Sequence, residues 1–372
     1  MIKIGITGQS GFIGTHLNNY LNLKKKDVFL IPFQDSFFAD PAKLETFVKQ
    51  CDTIVHLAAL NRHNDAQTIY DTNIGLISKL IESLGKTGSK PHILFSSSTQ
   101  EERDNVFGKS KRDGRQLLTR WSEKSGALFT GMVIPNIFGP FGKPYYNSVV
   151  ATFSHQLTHN EQPRVEVDAQ LKMLYVGDLV KTIYYLISNK VSDNELFVPP
   201  TDEANVSEIL TLLQSFRDQY YENGVVPDLS DPFERNLFNT FTCYIDHSKF
   251  FPFKLNLNSD ERGSFVETVK LHSGGQVSFS TTRPGVTRGN HFHTRKAERF
   301  AVIKGKASIQ LRRIGTDEIL NFELDGRMPS FVDMPVWYTH NITNIGEEDL
   351  YTIFWINEFF DPADPDTYYE KV

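Results

Sequence analysis

Two patterns of apolar and polar positions divide the chain. Over about the first 200 residues, short apolar runs typical of buried strands alternate with longer segments whose apolar residues have helical spacing. Such alternation predicts a parallel sheet covered by helices on both faces. The strand-like runs are residues 2–7, 28–33, 53–57, 92–96 and 128–134, and the helical segments between them include residues 13–21, 42–51, 68–85 and 110–125.

The pattern changes after about residue 253. Short runs there are separated by glycines, and apolar and polar residues alternate clearly at 307–311 and 351–355. Period-two alternation with frequent turns predicts an all-β sandwich or small barrel. We therefore predict an α/β domain with a Rossmann-like parallel sheet at residues 1–250 and an all-β domain at residues 251–372. Residues 200–245 are expected to form a helical extension of the first domain.

Composition limits the kind of protein. With 40% hydrophobic and 23% charged residues and no apolar run long enough to span a bilayer, the chain is expected to be globular and to act away from membranes. The net charge of −6 argues against a nucleic-acid partner, which would require a basic face. Cys51 and Cys243 form no CxxC pair and the first strand starts without a secretory leader, so a cytoplasmic location is expected.

A glycine-rich loop joins the first predicted strand to the first predicted helix. Gly8, Gly11 and Gly14 have the spacing G-x-x-G-x-x-G. In this context the first glycine allows a tight turn, the second lets the backbone approach a pyrophosphate, and the third lets the helix pack against the strand. The helix N-terminus adds free N–H groups and a favourable dipole for phosphates. The loop therefore predicts nucleotide binding.

The sequence indicates less clearly whether the nucleotide is NAD or NADP. The second predicted strand should end near the adenosine ribose, where an acidic residue would favour NAD through the 2′-hydroxyl. No acid stands at residues 30–34, Asp35 comes late, and no arginine is present there to hold a 2′-phosphate. The missing acid favours NADP slightly, and NAD stays an alternative.

Further motifs occur in the order of a known family. They are T-G-x-x-G-x-x-G at 7–14, VHLAA at 55–59, NIG at 73–75, SSS at 96–98, G-x-S-K at 108–111 and IPNIFGP at 134–140. Together they resemble the extended short-chain dehydrogenases/reductases that act on nucleotide sugars, over roughly residues 1–240. The resemblance implies a substrate contact by Asn136 and cofactor contacts by Thr7, Gly8, Gly11, Phe12, Ile13, Gly14, Asp40, Leu57, Ala58, Ala59 and Lys111.

The catalytic segment of that family is altered in this chain. The resemblance implies that Lys111 holds the ribose hydroxyls and that Ser98 donates a hydrogen bond to the substrate carbonyl, beside a tyrosine one helical turn before the lysine. Phe107 stands at the tyrosine position and cannot donate a proton. A slow reductase that uses Ser98 or water, and a domain that binds cofactor without turnover, are both open.

A group of histidines in the second domain predicts a metal site. His291, His293 and Glu298 fall in one stretch and His340 follows later, in the pattern G-x5-H-x-H-x4-E-x6-G and then P-x4-H-x3-N. Period two along a strand puts the first two histidines on one face. Three imidazoles and one carboxylate suit a divalent cation, most simply Zn²⁺. The pattern resembles the two motifs of the cupin superfamily, except that Trp337 replaces a glycine usual in the second motif.

A segment before the histidines narrows the chemistry. D-x-R-G-x-F-x-E at 260–267 resembles the entry segment of cupin epimerases of 4-keto nucleotide sugars, and Arg262 would grip a diphosphate. Epimerisation next to a ketone needs a base, a stabilised enolate and an acid on the other face. Tyr338 is the candidate proton donor. Glu298 or His293 could be the base instead of a ligand, and the sequence does not separate these roles.

The combination of a reductase-like domain with an epimerase-like cupin resembles the CapF-type enzymes of bacterial capsular polysaccharide synthesis, including the motif NEFFDPADPDTYY at 357–369. This resemblance implies a homodimer joined through the cupin and a UDP-sugar substrate. The cupin would epimerise C3 of a UDP-2-acetamido-2,6-dideoxy-4-hexulose, and the reductase would reduce C4 with NADPH, on the route to UDP-N-acetyl-L-fucosamine. An epimerase with a silent cofactor domain and a non-enzymatic NAD(P)/sugar sensor are the alternatives.

Overall fold

The computed structural model describes residues 1–261 and 263–372 and divides into two compact units. The first comprises Met1–Phe138 and Gln170–Ala204, and we call it the parallel unit. The second comprises Gly139–Ala169 and Asn205–Val372, and we call it the antiparallel unit. The domain limits predicted from the sequence, 1–250 and 251–372, stay a prediction. Arg262, the predicted diphosphate contact, lies outside the described residues.

Strands and helices alternate up to residue 205. In chain order the elements are β1 (Ile2–Thr7), α1 (Phe12–Asn22), β2 (Val28–Ile31), α2 (Pro41–Gln50), β3 (Thr53–His56), α3 (Ala66–Thr87), β4 (His92–Ser98), α4 (Val106–Ser125), β5 (Phe129–Ile134), β6 (Asn136–Phe138), α5 (Val149–Thr158), β7 (Gln170–Tyr175), α6 (Val176–Ser188), β8 (Asp193–Phe197) and β9 (Asp202–Asn205). Short 3₁₀ turns occur at Asp35–Ala39 and Thr99–Glu102.

Six strands form the main sheet of the parallel unit. Their order is β2-β1-β3-β4-β5-β8, and all neighbours are parallel. β3 and β5 are buried along their whole length, as expected for strands covered by helices on both faces. β2 lies on one side of β1 and β3 on the other, and ligands of such sheets bind beyond the carboxyl ends of the strands at this reversal. The predicted N-terminal Rossmann-like sheet is confirmed.

Two apolar layers cover this sheet. On one face, Leu17 of α1 and Ile183 of α6 belong to a single buried cluster. On the other face, Phe47 of α2, Ile77 of α3 and Leu118 of α4 belong to a second one. Each helix turns one apolar stripe toward the strands, which explains why the helical spacing of apolar residues was readable in the sequence.

Short helices and then strands follow residue 205. In chain order they are α7 (Val206–Phe216), α8 (Pro232–Thr242), α9 (His247–Phe250), β10 (Phe253–Lys254), β11 (Asn258–Asp260), β12 (Gly263–Phe265), β13 (Gln276–Thr282), β14 (Thr287–Phe292), β15 (Glu298–Lys304), β16 (Lys306–Arg313), β17 (Ile319–Asp325), β18 (Ser330–Met334), β19 (Tyr338–Asn344), β20 (Leu350–Ile356) and β21 (Tyr368–Tyr369). A π-helical turn at Arg217–Tyr221 extends α7. Within the described ranges, no helix combines the length and the apolarity that crossing a membrane requires.

Two five-stranded sheets build the antiparallel unit. Their orders are β10-β18-β15-β20-β13 and β17-β16-β19-β14-β21, and the paired strands in both sheets are antiparallel. Val302 of β15, Ile309 of β16 and Ile342 of β19 belong to one buried cluster, so the two sheets share a core. The predicted C-terminal all-β region is confirmed as an all-antiparallel region.

Candidate cofactor and metal sites

The glycine-rich loop between β1 and α1 is packed too closely for side chains. Gly8 has φ 72°, and a Cβ added to it would lie 2.7 Å from the Ala58 amide nitrogen. A Cβ on Gly14 would lie 2.2 Å from the Gly8 carbonyl oxygen. Gly11 is the N-cap residue of α1. The loop therefore brings the N-terminus of α1 against the ends of β1 and β3, which is the geometry that binds dinucleotide phosphates.

Thr7 and His56 link β1 to β3 at their carboxyl ends. The Thr7 hydroxyl oxygen lies 2.7 Å from His56 Nδ1, and the Leu57 amide donates to the Thr7 carbonyl at 3.1 Å. Burial lowers the pKa of His56 to about 3, so the ring is neutral. Leu57, Ala58 and Ala59, the predicted cofactor contacts, follow β3 directly at this edge. His56 was not predicted as a site residue, although it stands inside the VHLAA motif.

The other predicted cofactor residues lie at helix starts. Phe12 and Ile13 begin α1, and the Phe12 ring packs edge-on against His16 with ring centres 5.2 Å apart. Asp40 is the N-cap of α2 and accepts a hydrogen bond from the Lys43 amide at 3.2 Å. That bond lowers the pKa of Asp40. The capping hydrogen bond is by itself a sufficient reason for an aspartate at this position, and a contact of Asp40 with a cofactor stays a prediction.

Lys111 is buried against two aromatic rings. Its ammonium donates to the Ser96 carbonyl at 2.9 Å and lies 5.2 Å and 5.6 Å from the ring centres of Phe95 and Phe107. Burial lowers the pKa of Lys111 to about 8, and the carboxylate of Glu101 partly opposes this shift. Since Phe107 precedes Lys111 by one helical turn, it stands where the family resemblance predicts a tyrosine.

The first turn of α4 is fixed by close packing and by hydrogen bonds. A Cβ on Gly108 would lie 1.9 Å from the Gln100 carbonyl oxygen, so the helix contacts the turn after β4 directly. Asn73 donates to Ser110 Oγ at 3.0 Å, and Ser110 donates to the Phe107 carbonyl at 2.7 Å. Asn73 and Ser110 therefore hold the backbone that carries Phe107. Both stand inside quoted motifs, but their supporting role depends on a contact between distant segments and was not predicted.

Ser98 ends β4 and caps the 3₁₀ turn that follows. Its hydroxyl oxygen accepts a hydrogen bond from the Gln100 amide at 3.2 Å, which leaves the hydroxyl proton to donate. The neighbouring Ser97 donates to the Glu101 carboxylate, which also accepts from Arg115 at 2.7 Å. This buried ion pair anchors the turn and with it the position of Ser98.

Asn136, the predicted substrate contact, is the first residue of β6. Its side-chain amide donates to the Lys172 carbonyl of β7 at 3.3 Å, and the residue is exposed. β6 follows β5 almost directly, so Asn136 lies beyond the carboxyl end of the main sheet. It therefore shares an edge with the glycine loop and Ser98, as a substrate contact would require.

The four predicted metal ligands converge in the antiparallel unit. Oε2 of Glu298 lies 3.2 Å from the Nε2 atoms of both His293 and His340 and 3.9 Å from that of His291. One ligand atom from each residue lies within 4.8 Å of the others. Ligands bound tetrahedrally to one Zn²⁺ at about 2.0–2.2 Å would be about 3.4 Å apart. The cluster therefore has the dimensions of a single cation site.

The ligand atoms also lack other partners. Among the described residues, His293 Nε2, His340 Nε2 and Glu298 Oε2 are buried without a directed hydrogen bond, although they lie close together. Burial raises the pKa of Glu298, but the neighbouring imidazoles outweigh it and keep the carboxyl ionised. Burial lowers the pKa of His291 to about 4, which favours the neutral imidazole that metals bind. A divalent cation would satisfy all these groups at once.

Trp337 keeps the turn before His340 despite its large side chain. Its φ is 63°, in the region that favours glycine. The buried ring packs against Phe292 with ring centres 5.6 Å apart, and the Trp337 amide donates to the His293 carbonyl at 2.8 Å. These contacts offset the backbone strain and tie the segment of His340 to that of His293.

Tyr338 lies two residues before His340 on β19 and thus faces the same side of the sheet. Its ring packs against His247 and Phe141, with ring centres 5.3 Å and 6.2 Å apart. Burial raises the pKa of Tyr338, so the phenol keeps its proton. A neutral phenol is what a proton donor requires, and the role of Tyr338 stays a prediction.

Two known families cover most of the chain. Residues 4–198 match the NAD dependent epimerase/dehydratase family. Residues 258–368 match the polysaccharide biosynthesis C-terminal domain. The first match contains the glycine loop and Lys111, and the second contains the four candidate metal ligands.

One curated relative spans both regions, and a second matches a shorter stretch. The chain is 32% identical over 369 residues to a UDP-2-acetamido-2,6-beta-L-arabino-hexul-4-ose reductase of Pseudomonas aeruginosa, covering 99% of this chain and 98% of the relative. A second relative, the spore coat polysaccharide biosynthesis protein SpsL of Bacillus subtilis, is 28% identical over 123 residues. That alignment covers 30% of this chain and 82% of the relative.

One solved structure matches over nearly the full length, and another matches over part of it. The capsular polysaccharide assembling protein CapF from Staphylococcus aureus is 36% identical, with a TM-score of 0.63 and coverage of 99% of this chain and 100% of that one. RMD from Pseudomonas aeruginosa, solved with NADPH, is 22% identical with a TM-score of 0.52, and the match covers 59% of this chain and 83% of that one. The second likeness concerns the fold alone.

The cluster geometry predicts that each chain binds one divalent cation. After zinc loading and dialysis, elemental analysis should find about one zinc per chain in the natural protein and much less in His340→Gln, because loss of one of four ligands weakens a closed site. The exposed His272 provides the control, and His272→Gln should retain the metal. The predicted metal site would be contradicted if the natural protein contained no zinc after loading, or if His340→Gln still bound one zinc per chain.

The low pKa of Lys111 predicts pH-dependent cofactor affinity. Below about pH 8 the ammonium of Lys111 is charged and would donate to the ribose, as the family resemblance predicts; as the pH rises through the pKa of about 8, Lys111 loses its proton. The Kd for NADPH should therefore rise about tenfold between about pH 7 and about pH 9.5, since a hydrogen bond from a charged donor contributes about 1.5–3 kcal/mol. Fluorescence titration at several pH values measures this.

Two variants separate Lys111 from other titrating groups. His56 faces Lys111 but is neutral over this range, and Glu101 lies on the adjoining turn. Lys111→Met should bind NADPH weakly and without the step near pH 8. Lys109→Met, which removes the exposed lysine two residues earlier, should keep the step. If the Kd of Lys111→Met for NADPH still changed near pH 8, the change would come from another titrating group.

Proposed function

The chain belongs to the NAD-dependent epimerase/dehydratase family as a CapF-type enzyme, and we propose that it is a bifunctional nucleotide-sugar epimerase and reductase. The observation that carries this proposal is the presence, in one chain, of a nucleotide-binding loop beside buried Lys111 and of a converging group of three histidines and Glu298. The first arrangement serves hydride transfer, and the second serves proton transfer next to a ketone.

The proposed substrate is a UDP-2-acetamido-2,6-dideoxy-4-hexulose. The antiparallel unit would invert C3, and the parallel unit would reduce the C4 ketone with NADPH, toward UDP-N-acetyl-L-fucosamine for a capsule or O-antigen polysaccharide. Support comes from the Pseudomonas aeruginosa relative, whose name specifies reduction of a 4-keto UDP-sugar. The Staphylococcus aureus neighbour is named for capsular polysaccharide assembly.

The epimerisation requires a proton to leave C3 on one face and return on the other. The C4 ketone acidifies this proton, and the resulting negative charge must be stabilised on the ketone oxygen. A bound Zn²⁺ would supply Lewis acidity for this charge. Tyr338 Oη is the proposed donor of the returning proton. The central position of Glu298 between two imidazoles favours a ligand role for it, and the base stays unassigned.

The reduction requires a hydride at C4 and a proton at its oxygen. NADPH, when bound, would supply the hydride. Lys111 would hold the ribose, and Phe107 would pack beside the ring without donating a proton. The Ser98 hydroxyl is the proposed source of the proton, directly or through water, since its oxygen is already held by the Gln100 amide.

The proposed assembly is a homodimer joined through the antiparallel unit, with the domain at 251–372 folded as a cupin. The edge strand β13 supports the homodimer, because Val277 and Phe279 on this strand are 59% and 73% exposed. An exposed apolar edge strand favours cover by a second chain.

Phe107 favours one alternative, an epimerase whose parallel unit binds NADPH without turnover. A missing general acid costs about 10²–10⁴-fold in rate. In that case the antiparallel unit alone would change the substrate, and the cofactor would serve another purpose.

Hydrogen exchange in D₂O tests the proposed epimerase. The zinc-loaded protein should introduce deuterium at C3 of the 4-keto UDP-sugar without NADPH, as followed by NMR, because proton transfer at C3 needs no hydride. Lys111→Met should exchange C3 normally, whereas His340→Gln should not. Exchange that occurs only with NADPH would contradict the independent epimerase. No exchange under either condition would leave a ligand sensor as the better description.

Restoring a hydroxyl at position 107 tests the proposed reductase. Phe107→Tyr should raise the rate of NADPH oxidation with the 4-keto substrate by about 10²-fold or more, the usual contribution of a positioned general acid. Phe107→Leu, which removes the ring without adding a hydroxyl, should not gain rate. A natural rate equal to that of Phe107→Tyr would mean that another group already supplies the proton. Inactivity of both would favour the silent cofactor domain.

A further inference from the structure

Residues 358–372, which we call the strap, run back along β14, the strand that carries His291 and ends one residue before His293. β21 within the strap pairs with β14, where Tyr369 stands opposite His291 and Tyr368 opposite Phe292. The Glu370 amide extends this pairing with a bond to the Asn290 carbonyl at 3.1 Å. The strap contains most of the motif NEFFDPADPDTYY, to which the proposed function assigns no role.

Asp366 is the residue of the strap that is most strongly held. Its carboxylate accepts hydrogen bonds from the amides of Thr294, Arg295 and Lys296 at 3.0–3.2 Å and from the Thr294 hydroxyl at 2.6 Å. The side chain is buried, and the backbone has φ 42°. A single carboxylate thus satisfies three consecutive amides that would otherwise lack partners in the turn after His293.

The carbonyl of the same residue contacts a candidate ligand. His293 Nδ1 lies 2.6 Å from the Asp366 carbonyl oxygen. A carbonyl oxygen can only accept a hydrogen bond, so Nδ1 must carry the proton. In the neutral ring this leaves the lone pair on Nε2, the atom that lies 3.2 Å from Glu298 Oε2. The contact therefore fixes both the tautomer and the direction of the His293 ring.

We propose that Asp366 is a positioning residue of the metal site: its carboxylate fixes the turn at 294–296, and its carbonyl holds His293 with Nε2 toward the cation. The inference rests on the metal site proposed above. Outer partners of this kind orient metal-binding histidines generally. Here the partner comes from the far end of the sequence, since Asp366 follows His293 by 73 residues.

Other contacts would keep the strap in place when Asp366 is changed. Arg295 pairs with Glu358 at 3.2 Å and with Asp364 at 2.9 Å. The Lys296 ammonium donates to the Pro365 carbonyl at 3.0 Å. Variants at position 366 therefore test the local hydrogen bonds rather than attachment of the whole strap.

Zinc affinity is the first test, measured by competition with a chromophoric chelator. Without the carboxylate, φ near 42° becomes unfavourable and the carbonyl turns away from His293, so Asp366→Ala should bind zinc about 10–100-fold more weakly. Asp366→Asn keeps one of the two acceptor oxygens and tolerates positive φ, and should recover part of the affinity. Asp364→Ala removes a neighbouring charge and should bind zinc like the natural protein.

The ring proton of His293 is the second test, and a general loss of stability would not remove it selectively. In zinc-loaded natural protein with ¹⁵N-labelled histidine, the Nδ1–H signal of His293, identified by its absence in His293→Gln, should exchange slowly with water. In folded Asp366→Ala the signal should broaden or vanish. If Asp366→Ala does not fold, the natural protein alone still tests the proposal. An unprotonated or freely exchanging Nδ1 of His293 in the natural protein would overturn it.

The outcomes distinguish the two proposals. Zinc binding by the natural protein with equal affinity in folded Asp366→Ala would overturn the positioning role and leave the metal site intact. Failure of the natural protein to bind zinc would overturn both. Equal weakening by Asp364→Ala and Asp366→Ala would assign the effect to the charge of the strap and not to the contact with His293.

Discussion

Two charged residues stand side by side on β15 and are both buried, and the antiparallel unit is arranged to compensate them. Glu298 faces the three histidines, while Arg299 faces the other side of the sheet. There Arg299 forms two bonds to Asp333 at 2.7 Å and 2.9 Å, donates to the Gly224 carbonyl at 2.9 Å and packs over the ring of Phe331. A buried charge left unpaired costs about 3–5 kcal/mol, so the segments that supply these partners are required to meet. The candidate metal site and the packing of the helical segment around Gly224 therefore depend on one strand.

A different constraint shapes the parallel unit, namely the close approach of backbones where a side chain would collide. Gly8 and Gly14 allow it at the phosphate-binding loop, and Gly108 allows it where α4 meets the turn after β4. The result is a rigid edge on which Ser98 and Lys111 are placed by backbone contacts. In the proposed reductase site, placement of both residues by contacts within the chain would reduce the entropy lost on binding.

The sequence predicted those features that depend on short-range pattern. Apolar periodicity located the parallel strands, and the spacing of the histidines identified a cluster that the structure brings together. It could not predict contacts between distant segments, such as the hydrogen bond from Tyr220 to Asp333, 113 residues later, or the contact of Asp366 with His293. Such contacts depend on which surfaces meet in three dimensions, and local propensity carries no information about them. The structure groups residues 139–169 and 205–250 with the antiparallel unit, while the domain limits 1–250 and 251–372 stay a prediction from the sequence pattern.

Phe107 separates two roles that one aromatic residue combines in the family that the chain resembles. The Phe107 ring packs near the ammonium of Lys111, and the lysine stays buried where the proposed function places the cofactor ribose. The proton of the tyrosine is lost, and with it the direct supply to the ketone oxygen. In the proposed two-step conversion, exchange at C3 does not involve this proton, so the epimer can form faster than it is reduced. Under the proposed function, the overall rate would then depend on how Ser98 or water protonates the C4 oxygen, and the side chain at position 107 would limit the flux through the two-step conversion.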